Sequence, residues 1–118
     1  MRYMMMIRLD PATVPSAGPD QRLAEAMGEL LEEMTKAGVL LDTAGLRPIE
    51  EATRIRLSGG RQTVVDGPFT ESKEVIGGYC LVQTRSKDEA VEWASRFLGI
   101  HGPEWDIEVE VRQVDESG

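Results

Sequence analysis

The chain gathers charged side chains in residues 65–74, whose sequence is VDGPFTESKE. Asp66 and Glu71 are carboxylates that can accept a proton from a substrate, and Lys73 can stabilise those charges or hold an anionic group. The same residues also fit a purely structural segment, because Asp and Gly before Pro favour a turn that Phe69 can anchor in the core. As a third alternative, residues 65–74 can contact a second copy of the chain. The sequence leaves these alternatives open.

His101 and two tyrosines are the other candidates for chemistry. Histidine exchanges a proton readily near neutral pH, so His101 is a candidate general acid or base. Its turn-like surroundings, GIHGP, offer no carboxylate at local spacing, and an exposed loop histidine is the structural alternative. Tyr3 and Tyr79 fall on strands that can be neighbours. With Phe69 and Lys73 they are candidates to bind a ligand, although packing in the core explains the tyrosines equally well.

Cysteine, histidine and glycine usage predicts neither a metal nor a cofactor. One cysteine and one histidine fall short of the usual zinc ligand sets, and a single Cys80 excludes an internal disulfide. The apolar neighbours of Cys80 predict a core residue, not a nucleophile. Gly59-Gly60 lacks the following helix and lysine of a phosphate-binding loop.

The charge balance of the chain argues against several kinds of partner. Thirteen Lys and Arg against 21 Asp and Glu give a net charge of -8. That sign is opposite to the one that holds phosphate backbones or anionic membrane surfaces, so we expect no nucleic-acid and no membrane partner. No apolar run approaches the roughly 18 residues that a spanning helix needs. We therefore expect a cytoplasmic protein.

Hydrophobic spacing predicts the elements that position these side chains. In chain order the sequence predicts a strand at 2–9, a loop at 10–19, a helix from 20 to Gly38, a short strand at 39–46, a hairpin from 53, a strand at 75–83, a helix from 86 to 99 and a strand at 107–112. The strand at 75–83 is apolar on both faces, with Ile76, Cys80 and Val82 expected on one of them. Gly77-Gly78 predicts a bulge or a close approach within it.

The hairpin and the order of elements together predict the fold. Closing a two-residue turn at Gly59-Gly60 places Ile55 opposite Val64, which keeps apolar against apolar. The order fits an α+β ferredoxin-like sandwich with an inserted β-hairpin, formed by residues 1–118 as one domain. Several strands are apolar on both sides while two helices cover only one face, so we expect a homodimer in which a second copy covers the other.

The sequence DGPFTESKE, followed by Gly77-Gly78-Tyr79, resembles the DGPF motif of the YCII-related protein family. The family pattern DGPFxExKE is met at Asp66, Gly67, Pro68, Phe69, Glu71, Lys73 and Glu74. The resemblance implies a dimeric α+β barrel. It also implies relatives that mostly lack an established activity, a few that act on small aromatic or halogenated molecules, and many that lie near sigma-factor genes.

The sequence departs from the family pattern at two places, and these departures limit which family residues and mechanisms can be assigned to this chain. The family often has a glutamate in a Gly-Glu-Gly-Leu stretch after the first helix, whereas this chain has Ala44 before Gly45-Leu46. Better-studied members suggest a His/Asp pair as a catalytic unit, and this chain has no histidine in its predicted first helix. The mechanism suggested for those relatives is therefore not transferred here.

Three functions are consistent with these observations. The first is a homodimer that binds a small organic molecule in a cleft near the DGPF segment. The second is a cofactor-free lyase, isomerase or hydrolase in which Asp66, Glu71 or His101 moves a proton. The third is a protein-interaction subunit linked to transcriptional regulation, which rests on the resemblance alone.

Overall fold

The predicted order of strands and helices is confirmed by a computed structural model that describes residues 1–69 and 74–116. Those residues contain six strands and two helices, which are β1 (Arg2–Leu9), α1 (Gln21–Lys36), β2 (Leu40–Gly45), β3 (Thr53–Ser58), β4 (Arg61–Asp66), β5 (Val75–Gln83), α2 (Lys87–Gly99) and β6 (Ile107–Gln113). Two short 3-10 turns, Pro11–Thr13 and Ile49–Glu51, lie in segments between these elements. Neither α1 nor α2 is long and apolar enough to cross a membrane.

Four strands form one antiparallel sheet in the order β2-β5-β1-β6, and β3 pairs with β4 in a separate hairpin. Without the hairpin this is the ferredoxin-like arrangement, in which the first and third strands are central. The α+β ferredoxin-like class is therefore confirmed. The topology also brings β6, the last strand, beside β1, the first.

Both helices pack on one face of this sheet. Their apolar side chains meet alternate residues of the central strands, and Val82 of β5 is completely buried. The core contains Tyr3, Met5, Leu30, Met34, Val39, Cys80, Val82, Ala90 and Ala94. Period-two alternation places Met4, Met6, Tyr79 and Leu81 on the opposite face, which we call the open face, and all four are partly exposed.

Side-chain caps fix where the helices begin. The Asp20 carboxylate accepts from the Leu23 N–H at 2.8 Å at the start of α1, and the Ser86 hydroxyl accepts from the Glu89 N–H at 3.1 Å at the start of α2. Gly38 has a φ of 71° just after α1, a conformation that favours glycine.

An ion pair joins the two helices across their exposed faces. Arg96 of α2 donates hydrogen bonds to the carboxylate of Glu33 on α1. This hydrogen bond and the positive charge of Arg96 hold the pKa of Glu33 below its usual value.

A β-bulge at Gly77 corrects one expectation about β5. Ile7 pairs with Gly78 and Arg8 pairs with Ile76, which leaves Gly77 as the extra residue. The bulge reverses the alternation, so Ile76 lies on the open face beside Arg8 and not with Cys80 and Val82 in the core. Its side chain is 48% exposed. The bulge itself was expected from Gly77-Gly78 and is confirmed.

The hairpin has the predicted register. Ile55 lies opposite Val64, and the turn residues Gly59 and Gly60 have φ values of 59° and 77°. These positive values explain the two glycines, because other residues rarely adopt them. All residues of β3 and β4 are exposed.

Candidate ligand-binding site

The DGPF segment begins where β4 ends, and it packs directly on the 3-10 turn Ile49–Glu51. The Gly67 N–H donates to the Ala52 carbonyl at 2.8 Å. A Cβ atom at position 67 would lie 2.7 Å from the Ile49 carbonyl oxygen and 3.1 Å from that of Glu50, so only glycine fits without movement of the backbone. The segment therefore fixes the position of the Ile49 turn.

Ile49 lies between two adjoining clefts at this end of the sheet. The first cleft has a volume of about 540 Å³ and includes the open face of β1 and β6. The second has a volume of about 590 Å³ and is mostly apolar, with Leu9, Pro11 and Val14 on one side. Four apolar residues line both clefts, namely Leu46, Ile49, Val75 and Ile76.

The first cleft contains a network of charged side chains centred on Arg8. Its guanidinium donates to Glu110 Oε1 and to Glu74 Oε2, each at 3.0 Å. Arg112 Nε lies 3.8 Å from Glu110 Oε2, and the Arg112 side chain is 70% exposed. Arg54 also lines this cleft. Among the described lining residues, three guanidinium groups thus face two carboxylates in a chain whose net charge is -8.

This arrangement suits a ligand that carries an anionic group on an apolar body. Arginine binds carboxylates through paired N–H donors, and the adjoining cleft offers hydrocarbon side chains to the remainder of such a molecule. In residues 1–69 and 74–116, three or more His, Cys, Asp or Glu side chains do not come together in a way that could hold a metal ion.

Asp66 and Phe69 lie near the first cleft, where they contact Thr53 and Arg54. The sequence left open whether each has a functional or a structural role. Asp66 Oδ1 accepts a hydrogen bond from Thr53 Oγ1 at 2.7 Å, which closes the base of the hairpin. Phe69 does not anchor the segment in the core. Its ring centroid lies 3.8 Å from the guanidinium carbon of Arg54, and its side chain is not part of the core between the sheet and the helices. Glu71 and Lys73 lie outside the described residues, and their roles stay predictions.

Comparison with known protein families matches residues 1–99 to the YCII-related domain. The chain belongs to the YCII-related family. It is also similar to an uncharacterised protein of Rhizobium meliloti (strain 1021), with 36% identity over 75 residues. The match covers 64% of this chain and 60% of that relative, so it spans less than two thirds of the relative's length. The family match includes the DGPF segment but ends before β6, which supplies Glu110 and Arg112 to the first cleft.

The two tyrosines of this YCII-related protein lie on opposite faces of the sheet. Tyr3 is 3% exposed within the core, and its hydroxyl lies 3.7 Å from the sulfur of Met1. Tyr79 is on the open face and donates its hydroxyl to Asp42 Oδ2 at 2.9 Å. This hydrogen bond and the negative charge of Asp42 raise the pKa of the Tyr79 phenol. The structure therefore does not bring the two rings to one cleft, because adjacent strands place residues 3 and 79 on different faces.

His101 lies two residues after the end of α2 and is partly buried, so the expectation of an exposed loop histidine is wrong. Its Nδ1 lies 2.9 Å from the Phe97 carbonyl oxygen. Its ring packs 5.0 Å from Phe97 and 5.6 Å from Trp105, measured between ring centroids. Asp66 and His101 thus have different neighbours, and a catalytic role for either stays a prediction.

Cys80 lies in the core, as its apolar neighbours predict. Burial raises the pKa of its thiol, and a hydrogen-bond contact with Thr43 Oγ1 at 3.1 Å opposes that effect. A smaller thiolate fraction makes this cysteine a poor nucleophile.

Sequence patterns missed Arg8, Glu110 and Arg112 as site residues. Each alternates with apolar neighbours on a strand, which is also the pattern of an ordinary solvated face. The predicted topology could have identified these residues, because a ferredoxin-like order places β6 beside β1. The register then brings Met4 opposite Arg112 and Met6 opposite Glu110.

Proposed function

We propose that this YCII-related protein is a homodimer that binds a small organic anion with an apolar body in the two adjoining clefts. The observation that carries the proposal is the shared wall of the clefts. Leu46, Ile49, Val75 and Ile76 connect an apolar cleft to one that contains Arg8 and Arg112. A single molecule that spans this wall would place its anionic group beside the arginines of the first cleft and its hydrocarbon in the apolar second cleft.

Arg112 is the better placed of these two arginines to bind the anionic group. Arg8 already donates to two carboxylates, whereas the contact of Arg112 with Glu110 is long and its side chain is more exposed. Arg8 and its partners then position the floor of the cleft, and Arg112 contributes the charge-assisted hydrogen bonds.

Octanoate is a suitable probe because it has one carboxylate and a short hydrocarbon chain. We expect Arg112→Ala to raise its Kd about tenfold, since a hydrogen bond to a charged group contributes about 1.5 kcal/mol. Shortening the probe to hexanoate removes two methylene groups at about 0.8 kcal/mol each, which raises the Kd of the wild-type protein about 15-fold. Isothermal titration calorimetry measures both effects.

Two controls distinguish binding in the clefts from nonspecific electrostatic attraction of the probe to the protein surface. Arg22→Ala removes an equally charged side chain from the exposed surface of α1 and leaves octanoate affinity unchanged. Octylamine has a similar chain with the opposite charge and binds more weakly than octanoate. Equal affinities of the Arg112→Ala and wild-type proteins, or no dependence on chain length, would contradict the proposed binding mode.

The open face of the sheet supports the homodimer. Met4, Met6 and Leu81 form its apolar centre, and both helices lie on the opposite face. Apolar surface of this kind is typical of an interface, and a second copy related by a two-fold axis is the simplest cover.

A further inference from the structure

The β-bulge at Gly77 positions two of the four residues that form the shared wall of the clefts. Because Gly77 is inserted opposite β1, Ile76 pairs with Arg8 and its side chain emerges on the open face. The Gly77 carbonyl also accepts a hydrogen bond from the Leu46 N–H at 2.9 Å. Ile76 and Leu46 each line both clefts. One inserted residue therefore places both side chains in the wall.

Close packing of two glycines fixes the geometry of the bulge. A Cβ atom at position 77 would lie 2.9 Å from Leu9 Cδ2 and 3.4 Å from Leu9 Cγ. Both Gly77 and Leu9 line the second cleft. A Cβ atom at position 78 would lie 2.9 Å from the Ala44 carbonyl oxygen on β2. The missing side chains thus let β1 and β2 approach the bulge on both sides.

Ile76 lies where a ligand would cross from one cleft to the other. Its side chain is 48% exposed, and a β-branched side chain has few rotamers into which it can move aside. Arg8, its neighbour in the first cleft, is held by hydrogen bonds to Glu74 and Glu110, each at 3.0 Å. The crossing is therefore bordered by two side chains whose positions are restricted.

We infer that Ile76 is a specificity-determining residue, which restricts the hydrocarbon of the ligand to an unbranched chain where it crosses the wall. This inference rests on the proposed binding of an organic anion in the two clefts and names its class as straight-chain carboxylates. A rigid apolar wall rejects a wider hydrocarbon of the same charge because it leaves no space for the added atoms.

Isothermal titration calorimetry with octanoate and cyclohexylacetate tests the inference. The two carboxylates have the same number of carbon atoms, but the ring of cyclohexylacetate is wider than a straight chain. We expect the wild-type protein to bind octanoate about tenfold more tightly, because small differences of shape in an apolar site are worth about tenfold or more. Ile76→Ala should lower the ratio of the two dissociation constants about tenfold, so that the preference is lost.

Two further variants make the test specific to position 76. Ile76→Trp fills the crossing and should raise the octanoate dissociation constant about tenfold. Ile55→Ala makes the alanine substitution at a residue of β3 that is 67% exposed and lines neither cleft, so it should leave both dissociation constants unchanged. Ile76 lies outside the core, and its variants should keep the circular dichroism spectrum of the wild-type protein.

The outcomes distinguish the wall from the binding site itself. An unchanged ratio in Ile76→Ala, in a protein whose octanoate affinity still depends on Arg112, would overturn the role of Ile76 and leave the proposed function intact. A wild-type protein that binds neither carboxylate would overturn both. If the alanine variant does not fold, wild-type octanoate affinity in Ile76→Trp would overturn the role of Ile76.

Discussion

Replacing Gly67 with alanine is expected to lower the free energy of unfolding by about 2 kcal/mol and to weaken octanoate binding at least tenfold. The added methyl group would lie 2.7 Å from the Ile49 carbonyl oxygen, closer than real contacts allow. The obstructing atoms belong to the backbone and cannot rotate away. The 3-10 turn must therefore move, and Ile49 moves with it in both clefts. Urea denaturation and calorimetric titration measure the two effects.

Gly28→Ala is the matched control for this substitution. Gly28 lies on the exposed surface of α1, and a Cβ atom there meets nothing within 4 Å. Alanine in a helix is favoured over glycine by about 1 kcal/mol, so this variant should be more stable and should bind octanoate normally. A Gly67→Ala protein with unchanged stability and affinity would show that the DGPF segment does not position the clefts.

If the protein forms the proposed homodimer through its open face, replacing Leu81 with glutamate is expected to convert that dimer to monomers. Leu81 lies on β5, a central strand, and shares the open face with Met4. A carboxylate buried there without a partner opposes association by about 4 kcal/mol, which raises the dimer dissociation constant about 1,000-fold. Sedimentation velocity at several concentrations detects the change.

A second apolar-to-glutamate substitution tests whether the position matters. Val91 on α2 is 44% exposed on the outside of the helix layer, so Val91→Glu should leave the dimer intact. The Leu81→Glu monomer should keep its circular dichroism spectrum, because the core lies on the other face of the sheet. A Leu81→Glu protein that still dimerises with wild-type affinity would exclude the open face as the interface.

Local patterns were sufficient to predict most of the fold. Alternation of apolar residues, the caps at Asp20 and Ser86 and the paired glycines of the hairpin each act within a few residues of chain. The order of elements then selects the ferredoxin-like topology. The two glycines also predicted the bulge at Gly77. They did not predict that Ile76 would move to the open face, because that depends on how many residues the bulge inserts opposite β1.

The candidate site was less predictable because distant segments build it. Arg8 meets Glu110 only after β6 pairs with β1, and Ile49 lines both clefts only after Gly67 packs on its turn. Phe69 illustrates the same limit. Its size suggested a core anchor, whereas the path of the chain places it beneath Arg54. The DGPF pattern lies next to the proposed clefts through the contact of Gly67 with the Ile49 turn, but it does not indicate which side chains line them.

The most direct test of the proposed binding site is an octanoate titration followed by ¹H–¹⁵N correlation NMR. We predict saturable shifts of the amides of Arg8, Ile49, Ile76 and Arg112, which line the two clefts. The outward residues of α1, such as Arg22 and Glu29, should not shift. Shifts confined to the helices, or a spectrum unchanged by octanoate, would contradict binding in the clefts.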